Sequence, residues 1–301
     1  MRIIGSITLL VVIVWLSFSS CEKTIDLDYP QYEKMVIVNG YLSPGDPVKI
    51  WLNYSNSYTE EESTQFEPIK DAEVKLYEDG EFLCRLPYAD SVDNIGDKAM
   101  YLNRNHQPST CKTYKLEVKV PGKELVTAQT RIPERQALDV HPASKSTYFS
   151  MSIWDDPNQN NYYLFHSNKG YTYRWDTVKR NVNVYIETYD PVVDNGEGLI
   201  SQDFLIFTDD LMTNEAYNLS FRLNTMEFDT VYAMYDFYSI TRDAYLYHKT
   251  ALEQVDDEEF PFQDDFYIPI SEPKPVYTNI NNGMGIFAGV NGVRDTVMVI
   301  H

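Results

Sequence analysis

The chain has 301 residues, and 45 Asp and Glu outweigh 25 Lys and Arg, so its formal net charge is −20. So acidic a surface excludes nucleic acid as a partner and disfavours embedding in an anionic headgroup layer, because both carry negative charge. The length that remains after removal of an N-terminal leader favours two ordinary domains, with one large β domain as the alternative.

The first 20 residues predict the signal peptide of a bacterial lipoprotein. They contain one basic residue, an apolar block at 7–16 that is too short to span a bilayer, and a segment at 17–20 rich in small residues. Cys21 follows where a thiol can take a lipid before cleavage; the alternative is an ordinary signal anchor with an incidental Cys. We interpret residues 21–34, which are polar and aperiodic, as the acylated Cys and a tether.

The next segment predicts a β-sandwich of immunoglobulin-like or transthyretin-like kind over residues 35–133. Short runs in it alternate apolar and polar residues, which is typical of half-buried strands. Asp79-Gly80 and Pro121-Gly122 lie between such runs and predict tight turns. The overall fold class is therefore mainly β.

A second antiparallel β domain is predicted over residues 139–301, after a linker at 134–138. Its strands are separated by polar turns rich in Asp, Asn and Gly. Apolar residues at helical spacing predict one amphipathic helix over 239–255 that packs on this domain. Either Ser239 or Thr241 could cap the start of that helix.

Cys84 and Cys111 are the two cysteines that remain in the mature chain. The cell envelope is oxidising, so a disulfide between them is permitted. Two separately packed thiols are the alternative, because nothing in the sequence fixes the distance between the two residues.

The motifs of common enzyme classes are absent from the sequence, including the nucleophile elbow, the zinc-protease helix and the phosphate loop. We interpret Glu60-Glu61-Glu62 and the acidic turns as solvated loops rather than cation sites, and His248 on the predicted helix as a lone surface imidazole. No cofactor or metal site is predicted. A glycosidase-type carboxylate pair stays open as an alternative, because its two members can lie far apart along the chain.

One cluster of aromatic residues predicts a binding patch. Tyr171, Tyr173, Arg174 and Trp175 lie in a polar hairpin, where exposed rings could stack on a sugar or anchor a protein interface. Core packing explains the other alternating rings of the chain equally well.

Four triplets of Asp, Ser or Thr, and a small apolar residue match the pattern at which Bacteroidota O-glycosylate exported proteins. Asp before β-branched residues is also an ordinary strand start. We predict that at least one triplet is glycosylated if the organism is of this kind. The candidate acceptors are Ser91, Thr177, Thr230 and Thr296.

Several segments, taken in order and spacing, resemble a single family. They are residues 21–27, 36–41, 69–74, 114–118, 154–157 with 161–163, and 271–273 with 277–287. Together they resemble the Bacteroidota lipoprotein family known as domain of unknown function 4249, over nearly the whole mature chain. The resemblance implies an outer-membrane lipoprotein, often encoded beside a TonB-dependent transporter, and it offers no catalytic residues to carry over.

We therefore expect a non-catalytic accessory or binding lipoprotein that works with a TonB-dependent outer-membrane transporter in nutrient uptake. We expect it to be lipid-anchored at the outer membrane. Glu22 beside the acylated Cys resembles an export signal, which favours the outer surface over the periplasmic face. The alternatives are an envelope glycan hydrolase and a surface adhesin. The ligand class, whether small molecule, peptide or glycan, is not predicted.

Overall fold

The computed structural model describes most of the chain after the predicted tether. The described residues are 33–56, 66–90, 99–142, 147–156, 158–174, 178–193, 200–202, 204–212, 216–225, 230–258 and 275–300. Within them the chain forms three β-sheets and one α-helix, so the mainly β fold class predicted from the sequence is confirmed.

Eight of the described strands lie before residue 132. They are β1 (Val36–Leu42), β2 (Val48–Tyr54), β3 (Glu73–Glu78), β4 (Glu81–Leu86), β5 (Tyr88–Ala89), β6 (Met100–Asn103), β7 (Thr113–Lys119) and β8 (Leu125–Arg131). Four of them form an antiparallel sheet in the order β4-β3-β7-β8. Its hairpins turn at the two predicted sites, where Gly80 and Gly122 have φ angles of 90° and 75°, a conformation that glycine adopts without strain.

Ten further strands follow. They are β9 (Ala137–Pro142), β10 (Tyr148–Trp154), β11 (Tyr162–Arg174), β12 (Val178–Asn183), β13 (Tyr185–Thr188), β14 (Ile200–Gln202), β15 (Phe204–Thr208), β16 (Tyr217–Asn224), β17 (Thr230–Ile240) and β18 (Met284–Ile300). A five-stranded antiparallel sheet has the order β14-β13-β16-β10-β9. A nine-stranded sheet runs β12-β11-β17-β18-β1-β2-β6-β5, with β15 also beside β11.

Two hydrophobic cores lie against the nine-stranded sheet. In the N-terminal core, Val38 of that sheet packs with residues of the four-stranded sheet such as Leu116. In the C-terminal core, Phe165 and Phe237 of the large sheet pack with residues of the five-stranded sheet such as Phe221. Each smaller sheet therefore buries its apolar face against a different part of one long sheet.

The last strand connects the two predicted domains. β18 pairs in parallel with β1, with Ile37 opposite Met284 at the start of the ladder, and Phe287 belongs to the N-terminal core. The units predicted at 35–133 and 139–301 each surround a core, but the structure differs from two successive domains because the C-terminal strand completes the N-terminal one. The described residues from the end of the predicted tether onward form one compact unit.

A glycine permits the close approach of β18 to β1. Gly285 has a φ angle of 98°, and a Cβ atom at this position would overlap the carbonyl oxygen of Val38. The two residues that follow it, Ile286 and Phe287, are fully buried, on opposite sides of the sheet. The backbone of this segment therefore has no room to relax around an added methyl group.

We predict that Gly285→Ala lowers the free energy of unfolding by more than about 3 kcal/mol. The cost of a side chain in the left-handed backbone region is added to the cost of its overlap with Val38. Gly122→Ala is the matched control: Gly122 also has positive φ, but a Cβ there meets nothing within 4 Å. It should cost only about 1 kcal/mol. Urea unfolding of both variants measures the difference, and equal losses would contradict the close approach.

The predicted helix exists, but it begins later than expected. It is α1 (Arg242–Glu258), whereas the sequence indicates 239–255. Ser239 and Ile240 remain in β17, and Thr241 caps the helix by accepting a hydrogen bond at Oγ1 from the Ala244 amide, at 3.3 Å. No helix among the described residues is long and apolar enough to cross a membrane.

The helix covers the sheet face that is turned away from the two cores. Ala244 and Tyr245 of α1 pack with Ile206, Ile286 and Ala288, all of them buried. Ile286 and Ala288 flank Phe287 along β18 and point to the opposite side from it, as strand periodicity requires. A third hydrophobic cluster therefore forms on the back of the large sheet.

The interpretation of His248 as a lone surface imidazole is wrong. Its Nε2 atom lies 3.1 Å from the Tyr41 hydroxyl, and its ring packs against Phe204 and Tyr247. Burial lowers the pKa of His248 from 6.5 to about 4, so the ring stays neutral near neutral pH. Sequence periodicity places His248 on the helix, but the contact of the helix with Tyr41 depends on tertiary packing.

We predict that His248 makes the protein sensitive to mild acid. The pKa of the folded state is depressed, so between pH 6.5 and 4 the unfolded chain takes up a proton that the folded chain does not. Stability is therefore lost as pH falls through that window, by up to about 3 kcal/mol, with no further loss from this residue below it.

His248→Phe tests this prediction, because it keeps the aromatic packing and removes the titration. It should cost about 1 kcal/mol at pH 7 through the lost Tyr41 hydrogen bond and flatten the stability profile between pH 6.5 and 4. His141→Gln, at an exposed position of β9, should leave the wild-type profile unchanged. An unchanged slope in His248→Phe would contradict the assignment.

Candidate functional site

The five-stranded sheet has one face in the core and one face toward solvent. On β10, Phe149, Met151 and Ile153 point into the core. The alternate residues of β10 and of its neighbours therefore point outward. We call this surface the outer face; it consists of Tyr148, Ser150, Ser152 and Trp154 on β10, Asn218, Ser220 and Arg222 on β16, and Glu187 and Tyr189 at the end of β13.

Three large aromatic side chains are exposed on the outer face. The exposed fractions are 60% for Tyr148, 48% for Trp154 and 75% for Tyr189. Tyr148 and Trp154 lie at opposite ends of β10, about 20 Å apart at the usual rise of a strand. Ser150 and Ser152 lie between them, and the Ser152 hydroxyl donates to Asn218 Oδ1 at 2.6 Å. The two rings of β10 thus lie at the ends of a polar stretch, which we call the polar floor.

A cross-strand row organises one end of this face. Arg222 lies opposite both Tyr148 and Glu187 in the sheet, and its guanidinium carbon is 5.9 Å from the centre of the Tyr148 ring. The Arg222 Nη1 atom is 3.2 Å from Glu187 Oε2, and Asn224 Nδ2 donates to Glu187 Oε1 at 2.6 Å. The charges of Arg222 and Glu187 therefore balance each other within the row.

Asp190 fixes the chain that carries Tyr189. Its Oδ1 atom accepts hydrogen bonds from the Tyr217 hydroxyl at 2.6 Å and the Val192 amide at 3.1 Å, and Oδ2 accepts from the Ser220 amide at 3.1 Å. Burial and the bond to Asp190 raise the pKa of Tyr217, so its hydroxyl remains a donor. The turn after β13 is thereby held over β16, with the Tyr189 ring exposed beside it.

A cavity of about 450 Å³ opens at this end of the outer face. Its volume falls within the usual range for small-molecule sites. The residues that line it include aromatic rings and the Arg222–Glu187 ion pair. The lining residues are Tyr148, Glu187, Thr188, Tyr189, Asp190, Pro191, Ser220, Phe221 and Arg222.

The family model described as Domain of unknown function (DUF4249) matches residues 22–296. The chain belongs to this family. A search of curated proteins finds no match. Among solved structures, the collagen-binding domain of the Erysipelothrix rhusiopathiae surface protein RspB aligns at 7% identity over 90% of this chain and 96% of that one, with a TM-score of 0.17. That score is too low to support an argument.

The patch predicted in the β11–β12 hairpin of this DUF4249 chain lies on a different sheet from the outer face. Tyr171 and Tyr173 meet edge to face with their centroids 5.7 Å apart, and Tyr171 stacks on Tyr232 at 5.1 Å. Lys179 Nζ lies 4.0 Å from the Tyr171 ring centre. The side chain of Arg174 and the whole of Trp175 lie outside the described residues, so binding at this patch stays a prediction.

A charged group joins three strands of the large sheet. Arg294 on β18 donates from Nε to Asp236 Oδ1 at 2.6 Å and from Nη2 to Oδ2 at 3.1 Å, and His166 Nδ1 lies 3.5 Å from Oδ2. Burial alone would raise the pKa of Asp236, but the bonds from His166 and Arg294 hold it below its usual value. Across the described ranges, no group of three or more His, Cys, Asp and Glu residues could hold a metal ion.

The disulfide that the sequence left open does not form, since Cys84 and Cys111 are both free thiols. Leu76 on β3 pairs with Cys84 on one side and with Leu116 on the other. Cys84 and Leu116 are therefore two strand spacings apart, about 10 Å in total. Cys111 lies five residues before Leu116 along the chain, which takes it further from Cys84. A disulfide requires Cα atoms within about 7 Å, so the two cysteines cannot be bridged. Its thiol instead donates to Glu134 Oε1 at 3.3 Å.

The remaining sequence-predicted positions are not brought together at one site. The lipidation residue Cys21 and the glycosylation candidates Ser91 and Thr177 lie outside the described residues. Thr230 begins β17, and its carbonyl accepts a hydrogen bond from Thr172 Oγ1 at 2.7 Å. Thr296 is exposed on β18. Glycosylation at these positions stays a prediction.

Sequence reasoning missed the outer face, although part of its signal was present. Tyr148 and Trp154 stand in the same phase of β10 as two serines, opposite to Phe149 and Ile153, so the strand pattern marks them as outward. Glu187 and Arg222 could not be joined to them, because their pairing depends on contacts between distant segments.

We predict that Arg222→Met lowers the free energy of unfolding by about 2–3 kcal/mol, because it leaves the buried Glu187 carboxylate without its cation. Arg85→Met is the matched control, since Arg85 pairs with Glu73 at an exposed position and should cost less than about 0.5 kcal/mol. Chemical unfolding at pH 7 compares the two. Similar costs would show that the Arg222–Glu187 pair does not support the outer face.

Proposed function

We propose that this protein is a non-catalytic binding subunit of the bacterial cell envelope that works beside a TonB-dependent outer-membrane transporter in nutrient uptake. A lipid on Cys21 tethers it to the outer membrane, with the folded part on the outer surface. The outer face of the five-stranded sheet is the site that binds, and the transporter receives what is bound.

The single observation that carries the proposal is the construction of the outer face. It combines three exposed aromatic rings with a cavity of ligand size. Its polar groups are already held in place by each other, as Arg222 is by Glu187 and Thr147. A preorganised surface of this kind loses little conformational entropy when a ligand settles on it, which favours binding.

The charge of the chain supports the proposed location. A formal charge of −20 keeps the folded part away from anionic headgroups, so a flexible tether is needed to hold it at a membrane. A polar segment, residues 21–34, follows the predicted cleavage site and is the proposed tether. The protein would then stand off the bilayer beside a larger partner.

A glycan hydrolase is the second candidate, because Glu187 and Asp190 both line the cavity. Two carboxyl groups beside aromatic rings are the parts that glycosidases use. Binding is the better fit, since both oxygens of each carboxylate accept hydrogen bonds from the chain's own groups. Neither carboxylate is presented to a ligand without a competing partner.

Copurification tests the proposed function. The tagged protein is expressed at its native level, envelopes are solubilised in mild detergent, and the recovered proteins are identified by mass spectrometry. We expect a TonB-dependent transporter to be enriched with the wild-type protein. We expect Cys21→Ala to appear in the soluble fraction and to recover much less transporter, because it lacks the anchor.

The control is Cys84→Ala, which removes a thiol from the folded part and leaves the anchor intact. It should behave as the wild type in both fractionation and recovery. Absence of any TonB-dependent transporter from the wild-type sample, or equal membrane retention of Cys21→Ala, would count against the proposal.

A further inference from the structure

We propose that the outer face binds an uncharged carbohydrate chain, with one sugar in the cavity beside Tyr148 and Tyr189 and the chain extending along β10 toward Trp154. This inference rests on the proposed function and names the class of ligand at the same site. It follows from the chemistry of the rings, the charge of the cavity and the location of the cavity on the sheet.

The rings match the shape of a sugar. A pyranose has a C–H face that packs on an aromatic ring and a rim of hydroxyls that need hydrogen-bond partners. Tyr148 and Tyr189 both line the cavity and expose 60% and 75% of their surface to solvent, and both are flat side chains with only two rotatable bonds. Trp154 offers a third ring at the far end of the same strand.

The polar floor between the rings matches hydroxyl groups. Ser150, Ser152, Asn218 and Ser220 follow one another across the paired strands β10 and β16. Hydroxyl and amide side chains both donate and accept hydrogen bonds, as sugar hydroxyls do. Ser152 is already buried and bonded to Asn218, but an apolar ligand would bury the exposed Asn218 and Ser220 without replacing their bonds to water, which is unfavourable.

Charge excludes an acidic ligand. Among the residues that the structure describes, the charged ones that line the cavity are Arg222, Glu187 and Asp190, and Arg222 is already paired with Glu187 at 3.2 Å. No unpaired positive charge lines the cavity within this described part of the chain, and the chain as a whole carries −20. An anionic glycan would therefore be repelled, whereas a neutral one loses nothing.

The location of the cavity argues against a peptide in extended form. Extended peptides bind to sheets by adding a strand at an edge, where backbone groups are free. β10 is paired on both sides, with β16 and with β9, and past the end of β13 the Ser220 amide and carbonyl of β16 are bonded to the side chains of Asp190 and Thr188. The outer face offers side chains only, which suits a ligand recognised by ring stacking and hydroxyl contacts.

Affinity electrophoresis of the purified protein in gels that contain a polysaccharide tests the ligand class. The neutral probes are β-glucan, xylan, mannan and starch, and the acidic probes are polygalacturonate and chondroitin sulfate. We expect at least one neutral probe to retard the wild type and neither acidic probe to do so. No retardation by any neutral probe, or retardation by an acidic one, would overturn the inference.

Variants then assign the binding to the outer face. Tyr189→Ala and Trp154→Ala should each weaken binding about tenfold, as expected for loss of a stacked ring. Phe82→Ala is the matched control, because Phe82 exposes 55% of its surface, close to the 48% of Trp154, but lies on the four-stranded sheet. Equal losses in all three variants, or a loss only in Phe82→Ala, would overturn the site.

Two further readouts separate this inference from the proposed function. If the protein copurifies with a transporter but no neutral glycan retards it, the carbohydrate ligand is overturned and the accessory role stands. Release of reducing ends from a retarding glycan by the wild type, lost in Glu187→Gln, would support the ligand class and overturn the non-catalytic role. Unchanged thermal unfolding of Tyr189→Ala and Trp154→Ala confirms that the variants are folded.

Discussion

The parallel ladder between β1 and β18 is the constraint on which the rest of the structure depends. It joins the first and last strands of the described fold, and Gly285 allows the two backbones to meet where any side chain would overlap Val38. Closing so long a loop costs conformational entropy, which the buried ladder and both neighbouring cores offset. Because β18 also pairs along β17, the two cores share one continuous sheet, and the five-stranded sheet packs against it.

Local signals predicted the hairpins and the helix well. Asp79-Gly80 and Pro121-Gly122 join neighbouring strands as expected, because a tight turn needs only its own residues and the alternation beside them. The helix begins at Arg242 and not at residue 239, since Ser239 and Ile240 still pair with Asn291 and Val290 as the last residues of β17. Strand pairing between distant segments outweighed the local preference for helix there. The same effect explains why the sequence did not predict the parallel pairing of β1 with β18.

The candidate site shows the same division between local and distant information. Strand phase alone marks Tyr148 and Trp154 as outward, whereas the Arg222–Glu187 row exists only after β10, β16 and β13 have paired. Sequence reasoning chose the rings around Tyr171 because they are adjacent along the chain. His248 was misjudged for a related reason: its partner Tyr41 lies on β1, far from the helix in sequence, and only the fold brings the two together.

The exposure of aromatic rings on the outer face calls for a physical explanation. Rings that are open to water contribute little to folding and promote association between copies, so a chain with an acidic surface has no structural need for three of them on one face. Burying any one ring would require a partner segment over β10, yet Tyr148, Trp154 and Tyr189 are all exposed. The proposed ligand would cover the rings when it is bound, and the repulsion between like-charged chains would keep the free surface from self-association.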